Sequence, residues 1–186
     1  MNTMKIINTI IKNMKYNFIL IYFSSFSLLA VDIPINISGT IMIPPCSINE
    51  NKKIFFSFNS IQIDSVDGNN NSITKSIPIY CEYYKGKPYI SVMGEKLHGA
   101  PENILKTKGD TGLGIGLYQG GSVNPMYPIL IGDNTNGKKN EIINGLNGYG
   151  ESHGIMTITA VPYATKSTKL SPGKFDATAK IIITYN

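Results

Sequence analysis

The sequence contains no tryptophan and only two cysteines in 186 residues, and all 17 of its basic residues are lysines. Without arginine, the bidentate fork that usually reads phosphates and nucleobases is missing, which argues against a nucleic-acid partner. Two cysteines are too few for a disulfide-dense scaffold or a four-cysteine zinc site. With 42% hydrophobic and 16% charged residues, the chain is typical of a packed domain rather than a disordered one.

Catalytic and metal-binding patterns are also missing. The two histidines, His98 and His153, are far apart and have no ligand spacing around them. A phosphate site needs a glycine-rich loop followed by a helix. The alternating glycines Gly112, Gly114 and Gly116 are followed instead by residues typical of a turn. We therefore expect no catalytic residue, no metal, no cofactor and no small-molecule substrate, and we do not expect an enzyme.

The first thirty residues have the pattern of an export signal. Lys5, Lys12 and Lys15 precede the apolar run 17–30, and no acidic residue lies among them. A basic start followed by a short apolar run and a small residue is typical of a secretory signal peptide. We expect residues 1–30 to be removed, within one or two residues of Ala30. The alternative is a membrane anchor, but the run is shorter than the ~20 residues that span a bilayer.

Export bears on the two cysteines, Cys46 and Cys81, because both would reach an oxidising compartment. We predict a disulfide that closes a loop of about 35 residues, which is worth roughly 4 kcal/mol in the chain-entropy model. The alternative, a reactive thiol pair, needs close spacing or neighbouring histidines, and neither is visible.

The chain after Ala30 shows the period-two alternation of β-strands and little helical periodicity. Short strands separated by turn-rich stretches indicate an all-β sandwich of one domain. The stretch 133–150 is polar and rich in glycine and asparagine, so we predict a mobile loop there. The expected strands are Ile33–Ile43, Lys53–Phe58, Ile73–Tyr83, Tyr89–Met93, Leu113–Gln119, Pro128–Ile131, Ile155–Pro162 and Phe175–Tyr185.

Residues 31–45 form an amphipathic segment ahead of the first cysteine. Pro44 and Pro45 separate it from the following chain, because proline donates no ladder hydrogen bond. Burying the five isoleucines of one face would contribute about 8–15 kcal/mol as an upper bound. This face consists of Ile33, Ile35, Ile37, Gly39, Ile41 and Ile43. The glycine indicates a place where another backbone comes close.

The C-terminal segment is a second alternating strand, and the sequence ends one residue after Tyr185. In a sandwich such a last strand usually pairs with a further strand, and no residues follow to supply one. Two interpretations remain open. The N-terminal segment of one molecule completes the sheet of the next, by strand addition at an exposed edge, or residues 33–43 fold back as an ordinary first strand of their own domain.

These residues resemble the pilins of the bacterial chaperone–usher pathway, and among them the minor tip adaptors of P pili. The resemblance rests on a C-terminal pattern with Gly173 fourteenth from the end and Tyr185 next to last, and on the N-terminal strand with its central glycine. The other matching stretches are INISGTIMIPPCSIN (35–49), IPIYCEYYKG (77–86), GLGIGLYQGG (112–121) and TAVPY (159–163).

The resemblance implies an incomplete immunoglobulin-like sandwich of six strands that lacks the last one. Residues 31–45 would be the donor-strand extension and 46–186 the pilin domain. The implied partners are a periplasmic chaperone that lends the missing strand, an outer-membrane usher, neighbouring pilins and the tip adhesin. The basic residues of the chaperone would hold the C-terminal carboxylate. The chaperone and acceptor-groove strand would carry Gly173, Phe175, Ala177, Ala179, Ile181, Ile183, Tyr185 and Asn186.

The function that follows is that of a structural minor subunit, exported through the periplasm to a fimbrium on the cell surface, which links the adhesin to the fibre. The alternatives are another minor or major pilin of the same pathway, or a secreted carbohydrate-binding adhesin. Adhesins of this system carry a lectin domain ahead of the pilin domain, so their N-terminus does not act as a donor. About 156 residues after the signal leave no room for that extra domain.

Overall fold

The computed structural model describes residues 33–186, so the predicted signal peptide lies outside the described residues. The unit that carries the fold spans Ile41–Asn186. Residues 33–45 carry no secondary structure and every one of them is exposed, so the strand predicted over Ile33–Ile43 is not formed in the single chain. Between residues 33 and 186 no helix has the length and hydropathy required to cross a bilayer.

The larger sheet has the order β1-β2-β9-β5-β4, with β8 also paired to β9. All its pairs are antiparallel, and the longest ladder runs between β2 and β9, from Ile73 opposite Ala160 to Tyr80 opposite His153. Its strands are β1 (Ser47–Ile48), β2 (Ile73–Tyr80), β4 (Ile104–Lys106), β5 (Gly114–Gln119), β8 (Leu146–Asn147) and β9 (His153–Tyr163).

The smaller sheet has the order β10-β3-β6, and β7 also pairs with β3. The last strand lies antiparallel to β3, from Lys180 opposite Met93 to Tyr185 opposite Pro88. The strands of the smaller sheet are β3 (Pro88–Met93), β6 (Ile131–Gly132), β7 (Lys138–Glu141) and β10 (Lys180–Tyr185). Two short 3-10 segments, Asn49–Asn51 and Ile63–Ser65, complete the regular structure of the described residues.

The core lies between the two sheets and follows from the alternation of the strands. One sheet contributes Ile77, Ile79, Met156 and Ile158, and the other contributes Ile90, Val92, Ile183 and Tyr185, all between 0% and 4% exposed. Since neighbouring residues of a strand point to opposite faces, each strand puts every second side chain into this core. The chain is therefore an all-β sandwich.

The strand predictions held where both neighbours of a strand lie in the same chain. The predicted strands within 73–83, 89–93, 113–119 and 155–162 match β2, β3, β5 and β9, while Pro128–Ile131 is reduced to the start of β6. The prediction over Lys53–Phe58 was wrong, because this extended stretch has no ladder partner. Similarly, the strand predicted over Phe175–Tyr185 begins only at Lys180.

The stretch predicted to be a loop, residues 133–150, contains two strands. β7 pairs with β3 and β8 pairs with β9. Asn140 of β7 is 8% exposed and its side chain makes the hydrogen bonds that a buried amide needs. Its Oδ1 accepts from the Leu130 N–H at 2.9 Å, and its Nδ2 donates to the Leu130 carbonyl at 2.9 Å.

The predicted disulfide is formed between Cys46 and Cys81. It joins the residue before β1 to the residue after β2. The Cys81 N–H donates to the Ser152 carbonyl at 2.8 Å, so the bridge also lies against the start of β9.

Candidate functional site

A groove with a volume of about 1260 Å³ runs between two extended segments of the chain. We call residues 54–61 the first wall and residues 172–179 the second wall. The floor consists of core side chains of the larger sheet, namely Leu105, Ile115, Leu117 and Ala160. The groove therefore opens directly onto the apolar interior of the sandwich.

The first wall is an extended segment without a ladder. Its side chains alternate, with Ile54, Phe56 and Phe58 half-buried and Phe55 69% exposed. Within the described part of the chain, no backbone hydrogen bond joins residues 54–61 to another segment. Because backbone N–H and C=O groups normally find partners in a sheet, this wall has the free edge of a strand that lacks its neighbour.

The second wall alternates in the same way and is held from its outer side. Phe175, Ala177 and Ala179 are half-buried, and the residues between them are exposed. The Lys108 N–H donates to the Asp176 carbonyl at 2.7 Å, which forms an isolated antiparallel bridge. The small alanine side chains leave most of the groove volume on this side to an incoming side chain.

The groove is closed at one end and narrowed at the other. At the closed end the Cys46 N–H donates to the Ile183 carbonyl at 2.8 Å. At the far end the Phe58 and Phe175 rings lie 6.2 Å apart between centroids. The two contacts show that the walls are antiparallel, so a strand lying between them would be parallel to one wall and antiparallel to the other.

The chemistry of the groove favours binding an apolar strand. Among its lining residues the charged ones are Lys174 and Asp176, one of each sign, and both are exposed. Unpaired backbone edges beside an apolar floor are what main-chain pairing and alternating side-chain pockets require. Among residues 33–186, no three histidine, cysteine or acidic side chains gather into a candidate metal site.

The C-terminus lies in the smaller sheet, away from the groove. The Lys87 N–H donates to the main-chain carboxylate of Asn186 at 2.8 Å, and the Asn186 N–H donates to the Lys87 carbonyl at 3.0 Å. The Tyr185 side chain is 2% exposed, and burial raises the pKa of its hydroxyl, with a smaller contribution from Tyr149. Nearby, an ion pair of 2.9 Å with Glu141 raises the pKa of Lys87.

The residues singled out in the sequence therefore fall into three places. Gly173, Phe175, Ala177 and Ala179 line the groove. Ile181, Ile183 and Tyr185 belong to β10, and Asn186 follows it. The predicted donor residues are exposed: Ile33, Ile35, Ile37 and Ile41 by 80–102%, Ile43 by 54%, and a Cβ added at Gly39 would meet no atom within 4 Å.

The residues predicted to border an acceptor groove include four of the second wall, whereas the residues of the first wall were predicted only as an ordinary strand. The alternation of Ile54, Phe56 and Phe58 was visible, yet it predicted an ordinary strand. No signal in the sequence distinguished the first wall from an ordinary strand, since a single exposed apolar residue such as Phe55 is common on protein surfaces.

Comparison with known proteins agrees with this geometry. The chain matches the family "Fimbrial protein" over residues 35–186. It is 35% identical to the fimbrial adapter PapF of Escherichia coli over 175 residues, which covers 91% of this chain and 96% of PapF. It is also 35% identical to the minor fimbrial protein PrsF of Escherichia coli over 169 residues, with the same coverage.

Solved structures show the same fold. The P pilus adaptor subunit PapF superimposes with a TM-score of 0.53 at 30% identity, over 79% of this chain and all of the chain in that solved structure. The P pilus rod subunit PapA superimposes with a TM-score of 0.54 at 20% identity, over 82% of this chain and all of PapA. The chain belongs to the fimbrial protein family, whose members form fimbriae on the cell surface, and it has their incomplete immunoglobulin-like fold.

Proposed function

We propose that this chain is a minor adaptor subunit of an adhesive pilus and that it acts by exchanging strands with its neighbours. The observation that carries the proposal is the open groove, whose two walls lack a strand between them and whose floor is the core itself. A strand inserted there would give both walls a ladder and would cover the apolar floor.

The donor side of the proposal rests on the exposed isoleucine face. In water this face is an aggregation hazard, and burial in a neighbour's groove would remove it. The alternation of Ile33, Ile35, Ile37, Ile41 and Ile43 has the period that a groove with pockets on one side accepts. Gly39 leaves room where the acceptor backbone would come close.

The adaptor role is supported by the similarity to PapF, which is named a fimbrial adapter and is covered over 96% of its length. An adhesin whose N-terminus carries a lectin domain has no donor strand of its own. The donor segment of this chain would therefore fill the groove of the adhesin, while the groove described above would receive the strand of the next fibre subunit.

Assembly along this route requires two further partners. A periplasmic chaperone would fill the groove until assembly and would hold the carboxylate of Asn186 with its basic residues. The outer-membrane usher would be the place where the next subunit's strand replaces that of the chaperone. The role of the chain would be structural rather than enzymatic, because what the site offers is a surface for a strand.

The test uses the chain without residues 31–45, so that only the groove remains. It is refolded with synthetic N-terminal segments of the pilus subunits encoded beside it, and each segment is matched by a control with aspartate at its central apolar position. A cognate segment should form a 1:1 complex and raise the melting temperature by roughly 10 °C or more, since each kcal/mol shifts such a domain by a few degrees. An unchanged melting temperature with every cognate segment, or an equal rise with the aspartate controls, would contradict the proposal.

A further inference from the structure

We infer that Asn136 is a site of spontaneous deamidation, at which the side-chain amide of the folded protein is converted to a carboxylate. The inference is independent of the proposed function, because it rests on the turn between β6 and β7 and not on the groove.

Three asparagines of the sequence are followed directly by glycine. They are Asn136, Asn144 and Asn147, and they all lie within twelve residues of one another. Deamidation is fastest at such pairs, because glycine has no Cβ to hinder the approach of its nitrogen to the asparagine side chain. The sequence alone therefore does not distinguish the three, and the fold has to decide which of them reacts.

The reaction needs only this chain and water. The backbone nitrogen of Gly137 would lose its proton and attack Cγ of Asn136, so that a new Cγ–N bond forms and closes a five-membered succinimide ring. The bond between Cγ and Nδ2 breaks, and the nitrogen leaves as ammonia. One water molecule then opens the ring at either of its two carbonyl groups, which gives aspartate or isoaspartate.

The structure leaves the electrophile of this reaction accessible. Asn136 lies in a bend outside the strands and is exposed. Its backbone N–H donates to Oδ1 of Asp133, whereas its side-chain amide has no hydrogen-bond partner among residues 33–186. The side chain can therefore rotate towards the nitrogen of Gly137 without breaking a hydrogen bond within the described chain.

The nitrogen of Gly137 is accessible for a different reason, which is the register of β7. The Ile142 N–H donates to the Pro88 carbonyl at 2.8 Å, and Asn140 lies opposite Ile90 in the same ladder. In an antiparallel pair only every second residue directs its N–H at the partner strand. By this alternation the N–H of Gly137 is directed away from β3.

The other two asparagines are restrained by the fold. Asn144 is half-buried, its Nδ2 donates to the Gln119 carbonyl at 3.1 Å and its N–H donates to Gln119 Oε1 at 3.3 Å. Asn147 belongs to β8 and lies opposite Ile155 in the ladder with β9. Both must open locally before the ring can close, and the free energy of that opening slows their reaction.

The two products would affect the turn differently. Both place a second carboxylate next to Asp133, but isoaspartate also lengthens the backbone by one methylene group. The chain has no room for it, because even a Cβ at Gly132 would collide with the Asn136 carbonyl and the Lys138 nitrogen. Isoaspartate should therefore loosen the start of β7, where Lys138 forms an ion pair with Glu102.

The experiment follows all three asparagines in one molecule. The full chain is incubated in mildly alkaline buffer, once folded and once unfolded in urea, and samples are taken over time. Peptide mapping by mass spectrometry gives the extent of deamidation at each position, and an isoaspartyl methyltransferase assay detects isoaspartate. Asn136→Gln is the test variant and Asn147→Gln is its matched control.

In the folded chain, Asn136 should deamidate at least tenfold faster than Asn144 and Asn147, a ratio that corresponds to about 1.4 kcal/mol of local opening. In urea the three should react at similar rates. Asn136→Gln should abolish most of the product in the folded chain, and Asn147→Gln should not. Equal rates in the folded chain would overturn the inference, and so would a preference for Asn136 that persists in urea, because neighbouring residues and not the fold would then set the rate.

Discussion

The Phe58 and Phe175 rings lie 6.2 Å apart between centroids, with their planes inclined by 43°. They come from opposite walls, and no backbone hydrogen bond joins the two walls within the described structure. This pair therefore holds the far end of the empty groove together, as the hydrogen bond from Cys46 to Ile183 does at the other end.

We expect Phe58→Ala to lower the free energy of unfolding of the empty domain by about 1 kcal/mol or more, because an aromatic pair contributes about 0.5–1.5 kcal/mol beyond its burial. Phe55→Ala is the matched control, since its side chain is 69% exposed, and it should change the stability by less than about 0.5 kcal/mol. Chemical denaturation of both variants measures the difference. Equal effects would show that the ring pair contributes nothing.

Enlarging the second wall should block the groove. Ala177→Leu places extra methylene groups where an incoming side chain would lie, and we expect the affinity for a donor peptide to fall at least tenfold, or about 1.4 kcal/mol. Ser72→Leu, at an exposed residue outside the groove, should leave the affinity nearly unchanged. Peptide titration followed by fluorescence anisotropy provides the comparison, and unaltered binding to the Ala177 variant would place the donor strand elsewhere.

A substitution at Gly39 should impair assembly into fibres without affecting the folding of the monomer. A Cβ at this residue meets nothing within 4 Å in the free chain, so Gly39→Val should not alter the stability of the monomer. In a neighbour's groove the same side chain would meet the acceptor backbone, and we expect incorporation into fibres to fall at least tenfold. Thr40→Val, on the opposite face, is the control. Fibres of normal yield from the Gly39 variant would contradict the assignment of the donor face.

Loss of the disulfide should destabilise the domain by roughly 4 kcal/mol in the chain-entropy model. The double substitution Cys46→Ser and Cys81→Ser tests this without introducing a free thiol. The loss should be measured on the peptide-bound domain by chemical denaturation. A change below about 1 kcal/mol would mean that the open loop is already constrained in the unfolded chain.

The stability of the turn that follows β6 should depend on pH through the carboxyl group of Asp133. Hydrogen bonds from the Asn136 N–H, from the Thr135 hydroxyl at 2.7 Å and from the Thr135 N–H at 2.8 Å lower the pKa of its carboxyl below the ordinary value of 3.8. Because the folded pKa is depressed, the stabilisation is complete above the ordinary value and is lost as pH falls through the folded one.

The amide NMR signals of Thr135 and Asn136 should therefore shift in a titration with its midpoint below 3.8. Asp133→Asn should remove that step and leave the rest of the titration in place. A midpoint at or above the ordinary value would contradict the hydrogen-bonded turn.

The sequence was a sufficient guide where a strand and its partners lie in one chain. Ile77 and Ile79 are buried in β2 while the residues on either side of each are exposed, as the alternation predicts. The strand prediction failed for the first wall, because a strand is defined by pairing and nothing in the described chain pairs with residues 54–61. It also failed for β7, where Asn140 is buried because its amide is satisfied locally, a property that hydrophobic patterning does not register.

The central claim is that the sandwich lacks a strand that another molecule supplies, and hydrogen exchange of the two walls tests it most directly. The backbone amides of residues 54–61 should exchange rapidly in the free chain and become at least a hundredfold slower in the assembled fibre. The contradicting result is slow exchange of these amides already in the free monomer.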